Sequence, residues 1–117
     1  MTKEEYLQFH KTMCGAMVGI TERKNADYTG TSNDPFGNFR KHGELGFLVR
    51  MHDKMARIES FVAKGFLEVK DESVFDTLLD LANYSILLAG FIKERMNERK
   101  EEKEGNEKGT TCEDLSR

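Results

Sequence analysis

Along the N-terminal part of the chain, apolar residues recur at steps of three, four and one. Tyr6, Phe9, Met13, Ala16, Met17 and Ile20 thereby share one side of a helix that the pattern carries to about residue 23. Thr2 and Glu5 stand at the spacing of a capping box, in which each side chain serves the other residue's free backbone N–H. The next stretch, residues 24–43, is rich in Gly, Asn, Asp and Ser and holds the only proline, Pro35. Such a length of polar chain inside a compact domain points to a functional loop. Tyr28, Phe36, Phe39 and, just beyond, Phe47 give it rings with which to pack, so an ordered loop is expected.

A second helix is predicted over 44–64, with Leu48, Met51, Met55, Ile58 and Val62 as its core stripe and Gly65 as its stop. Arg50, Asp53, Lys54 and Arg57 follow one another at i, i+3, i+4 and i+7 and share a different face. The third helix starts after Asp71 or Glu72 and runs past Met96. Val74, Phe75, Leu78, Leu79, Leu81, Ala82, Ile86, Leu88 and Ala89 cover most of its circumference, so it reads as the central helix. Its narrow polar sector carries Glu72, Asp76, Asp80 and Asn83. From residue 97 to 117 the chain is Lys, Glu, Asn and Gly with almost nothing apolar, which predicts a frayed tail behind a single domain over 1–96.

The pattern is therefore all-α: a small helical bundle with a long ordered loop between its first two helices. A length of 117 residues fits one domain of typical size. With 38% hydrophobic and 33% charged residues the core is lean, so pairing of helix faces between subunits, a homo-oligomer, is expected. A net charge of -3 gives no basic field for a nucleic-acid backbone, which argues against duplex DNA or RNA as the partner. Cys14 and Cys112 make neither a disulfide framework nor a metal spacing. The charged opening is unlike a signal peptide, and no uninterrupted apolar run approaches the roughly 20 residues that cross a bilayer. A cytoplasmic protein without a membrane partner is the expectation.

Three groups of residues carry possible chemistry. Carboxylates at i and i+4 on the third helix stand one turn apart, where a divalent cation can bridge them. Stacked like charges on a mostly apolar helix need compensation, from a metal or from the basic stripe of the second helix. Acids in the first turn also favour the helix dipole, which accounts for Glu72 and in part for Asp76, whereas Asp80 lies two turns in. Arg50, Lys54 and Arg57 suit phosphate, with Asp53 as a metal ligand or an orienting group; the same residues also suit a structural lattice to the acids. In the loop, Lys24, Asn25, Asp27 and Tyr28, then Asn38, Phe39 and Arg40, combine hydrogen-bonding groups with flat rings, as a base or sugar requires, or as a loop pinned to the core would show. His10, His42 and His52 share no metal spacing, and no basic neighbour is evident to activate Cys14.

The segments KNADYTGTSNDPFGNFR, LVRMHDKMARI and VKDESVFDTLLDLANYSILL resemble the nucleotide modification associated domain 1 family, common in phages and prophages. More distantly, the layout is similar to the all-α nucleoside triphosphate pyrophosphohydrolases, the MazG-like enzymes and dimeric dUTPases. That resemblance implies magnesium held by acidic pairs on neighbouring helices, with Asp76 and Asp80 matching the later pair. Where those enzymes bring two glutamates on the earlier helix, this chain has only Asp53 among Arg50, Lys54 and Arg57. The implied function is binding of a nucleotide or nucleotide-derived phosphate ligand, with magnesium-dependent pyrophosphohydrolysis as the reaction. In that scheme Asp53, Asp76, Asp80 and Glu72 hold the metal, and the cations hold phosphate. The alternatives are a phage protein that sequesters a nucleotide signal of host defence without cleaving it, and an accessory module for DNA-base modification.

Overall fold

The computed structural model describes residues 1–29, 33–66 and 73–106; of residues 25–29 and 106 only the backbone is described. Among these residues there are three helices and no strand: α1 (Lys3–Thr29), α2 (Glu44–Lys64) and α3 (Val74–Asn106). The fold is all-α.

The Thr2–Glu5 capping box opens α1. Thr2 Oγ1 accepts the Glu5 N–H at 3.1 Å, and Glu5 Oε2 accepts the Thr2 N–H at 3.4 Å. The helix does not stop near residue 23, because nothing between Arg23 and Thr29 breaks it; the polar composition was a poor guide to its end. The segment between the first two helices is correspondingly shorter than 24–43. What is described of it, residues 33–43, is mostly turn. Phe36 carbonyl oxygen accepts the N–H groups of Phe39 and Arg40, and Phe39 carbonyl oxygen accepts those of His42 and Gly43. Gly43, at φ 60°, then turns the chain into α2, and Gly65, at φ 82°, closes that helix with its N–H on the Phe61 carbonyl oxygen at 2.7 Å.

Both α1 and α2 pack antiparallel against α3, as the ion pairs show. Lys24 meets Asp80 while Thr21 meets Asn83; Lys54 meets Asp80 while Glu44 meets Arg95. The core lies between the 33–43 segment, α2 and α3 and is built from phenylalanines. Phe36, Phe47 and Phe91 are buried, and Phe39, Leu87 and Leu88 pack around them. Phe39 stacks on Phe47 with ring centroids 4.1 Å apart, and Phe36 meets Phe91 edge to face at 5.6 Å. Arginines roof this cluster: the Arg40 guanidinium lies 5.4 Å from the Phe36 ring centre and that of Arg95 5.2 Å from Phe91.

The core stripe of α2 differs from the expected one. Phe47 is buried and Met51, Lys54, Ile58 and Phe61 are half-buried along one stripe, while Leu48, Met55 and Val62 are exposed on the flank. Lys54 can occupy the inner stripe because Asp80 neutralises it there. The end of α3 differs too, since the helix continues to Asn106 instead of fraying from residue 97; residues 107–117 lie outside the described residues. By length and composition α3 is also apolar enough to cross a membrane, which a count of uninterrupted apolar residues did not bring out. Asp80, within that stretch, is tied by ion pairs to α1 and α2.

Candidate functional site

Asp80 is where the three helices meet electrostatically. Its Oδ2 lies 3.0 Å from Lys54 Nζ and its Oδ1 3.3 Å from Lys24 Nζ. The side chains of Lys54 and Asp80 are 14% and 18% exposed, so the pair is largely withdrawn from water. Burial pushes the Asp80 carboxyl up. The hydrogen bond from Lys54 and the charges of both lysines outweigh this and hold it below the ordinary carboxylate value. One turn on, Asn83 is fixed by two bonds: its Oδ1 accepts from the Thr21 hydroxyl at 3.2 Å, and its Nδ2 donates to the Met17 carbonyl oxygen at 3.4 Å.

Asp76 has a local explanation. Its Oδ2 accepts the Ser73 N–H at 3.3 Å, and Ser73 Oγ accepts the Asp76 N–H at 3.1 Å, a reciprocal cap at the start of α3. Asp53 lies on the outer side of α2, 3.7 Å from Arg57 one turn along. Thus Asp53, Asp76 and Asp80 are not brought together. Among the described residues no three His, Cys, Asp or Glu side chains form a group that could hold a metal. Glu72 and the side chains of Asn25, Asp27 and Tyr28 lie outside the described residues.

Arg40 serves the architecture. It grips Asp34 with two bonds of 2.9 Å, donates to Glu94 at 2.8 Å, and covers the Phe36 and Phe91 rings. The guanidinium of Arg40, together with the Phe36 backbone N–H, depresses the Asp34 pKa, and the Arg40 pKa is raised by Asp34 first and then Glu94. Segment 33–43 is thereby strapped to α3.

Two concavities flank Tyr84, which lines both. One, of about 240 Å³, lies between α1, α3 and the 33–43 segment; Pro35, Phe36 and Leu87 form apolar walls, and Lys24, Asp80 and Asn83 stand at its polar end. The other is an open groove of about 750 Å³ along the start of α2, lined by Asn38, Phe39, His42, Arg50 and Asp53. In the groove, Arg50 has no hydrogen-bond or ion-pair partner among the described residues. Gly46 sits tightly among the groove lining, since a Cβ there would stand 3.1 Å from His42 Cβ and 3.4 Å from the Phe39 ring and would oblige them to shift.

Compared with family models, curated proteins and solved structures, the chain matches none.

Of the residues singled out in the sequence, the groove gathers Asn38, Phe39, Arg50 and Asp53, and the cavity gathers Lys24, Asp80 and Asn83. Lys54 and Arg57 pair with Asp80 and Asp53, and Arg40 belongs to the core. Thr21 and Tyr84 were missed, and His42 had been set aside for want of a metal spacing. Tyr84 adjoins Asn83 and lies one helical turn from Asp80, so its place beside them was available from spacing alone. Cys14 also has a neighbour that spacing could have shown: His10 Nδ1 lies 3.9 Å from its sulfur, one turn earlier on α1.

Proposed function

We propose that the protein binds a nucleotide or a nucleotide-derived phosphate ligand, with phosphate taken by Arg50 in the α2 groove. The observation that carries this reading is an arginine without a hydrogen-bond or ion-pair partner among the described residues, set in a groove beside aromatic rings, an amide and an imidazole. A guanidinium presents a fork of donors matched to phosphate oxygens, and flat side chains offer faces to a base or sugar. Family resemblance in the K-N-x-D-Y, P-F-x-N-F and D-T-L-L-D-L-A-N-Y elements points the same way.

Holding the ligand is favoured over cleaving it. Pyrophosphohydrolysis in the manner of the resembled enzymes needs carboxylates available to magnesium, whereas Asp80 is bonded by two lysines and Asp76 by the helix cap. The protein would then act as a phage-type sequestering binder, working as a homo-oligomer in the cytoplasm.

Titration calorimetry with nucleoside mono-, di- and triphosphates, with and without magnesium, tests this. Arg50→Ala should weaken binding on the order of 10-fold or more, and added salt should weaken it in the unmodified protein. Equal affinity of the Arg50→Ala variant would remove the phosphate assignment. Magnesium-dependent release of pyrophosphate would restore the enzymatic reading.

A further inference from the structure

The smaller cavity adds a specificity to that reading, on which it rests. A volume of about 240 Å³ is below the roughly 300–1,000 Å³ of pockets that enclose drug-sized molecules, so it suits one ring system and not a whole nucleotide. Its walls, Pro35, Phe36 and Leu87, are apolar, and Gly90 lies so close beneath the Phe36 ring that a Cβ there would stand 3.3 Å from it. A flat molecule slid between such walls buries apolar surface without desolvating polar groups. The polar end decides which flat molecule.

That end holds a carboxylate with a lysine beside it. Asp80 has about four lone-pair positions, two of them engaged by Lys24 and Lys54, so it can still accept two hydrogen bonds. Lys24 can donate beyond Asp80, having three protons and one acceptor among the described residues. Asn83 cannot turn its amide to suit a ligand, because Thr21 and Met17 fix it. A ring edge matching this end carries two adjacent N–H donors for Asp80 and a neighbouring carbonyl for Lys24. Among the common bases only guanine has that edge. Adenine and cytosine place a ring-nitrogen acceptor beside the amino group, and uracil has a single N–H between two carbonyls; each would set a lone pair against the carboxylate.

We propose that the cavity between α1, α3 and the 33–43 segment is a subsite for a guanine-type base, read by Asp80 and Lys24. Tyr84 lines both the cavity and the groove, so the base subsite adjoins the groove that holds Arg50.

The test uses the full chain labelled with ¹⁵N and titrated with guanosine, inosine, adenosine and their 5′-monophosphates. Guanosine should shift the Gly90 and Leu87 amides and bind on the order of 10-fold tighter than inosine, which lacks the 2-amino donor; adenosine should be weaker still. Asp80→Asn should erase the guanosine preference, and if that variant fails to fold, the inosine comparison on the unmodified chain carries the same information. Equal binding of the three nucleosides, or shifts confined to the α2 groove, would overturn the subsite. Guanosine that enters the cavity while its monophosphate gains nothing, with or without Arg50, would overturn the phosphate assignment and leave the subsite standing. Monophosphates that bind through Arg50 with no base preference would do the reverse.

Discussion

Lys54 reaches across the α2–α3 interface to place its Nζ 3.0 Å from Asp80 Oδ2, in surroundings that leave little of either side chain in water. The sequence invites two opposed accounts of Asp80, as a metal ligand repelled by its neighbours or as the partner of a cation. They predict opposite signs. A repelled ligand gains stability as Asp80→Asn, whereas here the change leaves Lys54 and Lys24 facing a neutral amide. Breaking a fully buried pair costs about 3–5 kcal/mol; at this partial exposure about 1–3 kcal/mol is expected. Thermal melts of Asp80→Asn, Lys54→Met and the double variant should show the double losing less than the sum of the singles. A rise in Tm for Asp80→Asn would sink the ion-pair account.

The same carboxyl sets a pH dependence. Its folded pKa is below the unfolded value of about 3.9, so near that pH the unfolded chain binds more protons than the folded one. The stabilisation is present above the unfolded pKa and is lost as pH falls through the folded one. Asp34, held down by Arg40, and Glu44, held down first by its own backbone N–H and then by Arg95, act in the same direction. Urea midpoints measured from pH 7 down to pH 2.5 should therefore fall in the acid range, and fall less steeply for Asp80→Asn. Identical profiles would show that Asp80 does not contribute.

Much of the fold was legible because local rules decide it. The Thr2–Glu5 box, the Gly65 stop and the bounds of α2 need only neighbours in sequence. The rotation of α2 was not legible, because an inner stripe through Lys54 makes sense only once Asp80 is placed opposite it; periodicity instead selected Leu48, Met55 and Val62. The residues of the site were mostly named, yet their grouping was not. Arg50 and Arg57 share a helix and a charge; the i,i+4 spacing already sets Arg57 beside Asp53, but only tertiary placement shows Arg50 in a groove without a partner among the described residues. Asp76, in the first turn, and Asp80, two turns in, already differ in sequence; the structure completes the distinction through Ser73, which caps with the first, and the lysines, which meet the second.

Arg40 offers a test of what holds the site's wall. Its two bonds to Asp34 and one to Glu94 use the planar fork, and its stacking over Phe36 and Phe91 uses the flat face. Lysine has neither, so Arg40→Lys should behave much like Arg40→Ala. In both, hydrogen exchange at the Gly43 and His42 amides should quicken while that of mid-α1 amides stays constant. Full protection in Arg40→Lys would mean that charge alone suffices.

The last prediction concerns the side of α3 turned away from α1 and α2. Phe75, Leu78, Ala82, Ser85 and Ala89 follow at steps of three and four, the repeat of a helix–helix seam. Phe75 is 54% and Leu78 41% exposed, large apolar side chains that this chain leaves uncovered. Farther along, the seam turns small, so a second helix could approach closely at Ala82, Ser85 and Ala89. A second copy of α3 meets both conditions, with its small residues or its bulky ones according to register, and it adds no buried charge. Sedimentation at micromolar concentration should accordingly give a mass at least twice the 13.4 kDa of the chain. Ala82→Glu, which sets a carboxylate in the middle of the seam, should return the protein to a monomer with its helical circular dichroism retained. A mass near that of one chain for the unmodified protein, unchanged as concentration rises, would show that α3 is not the seam.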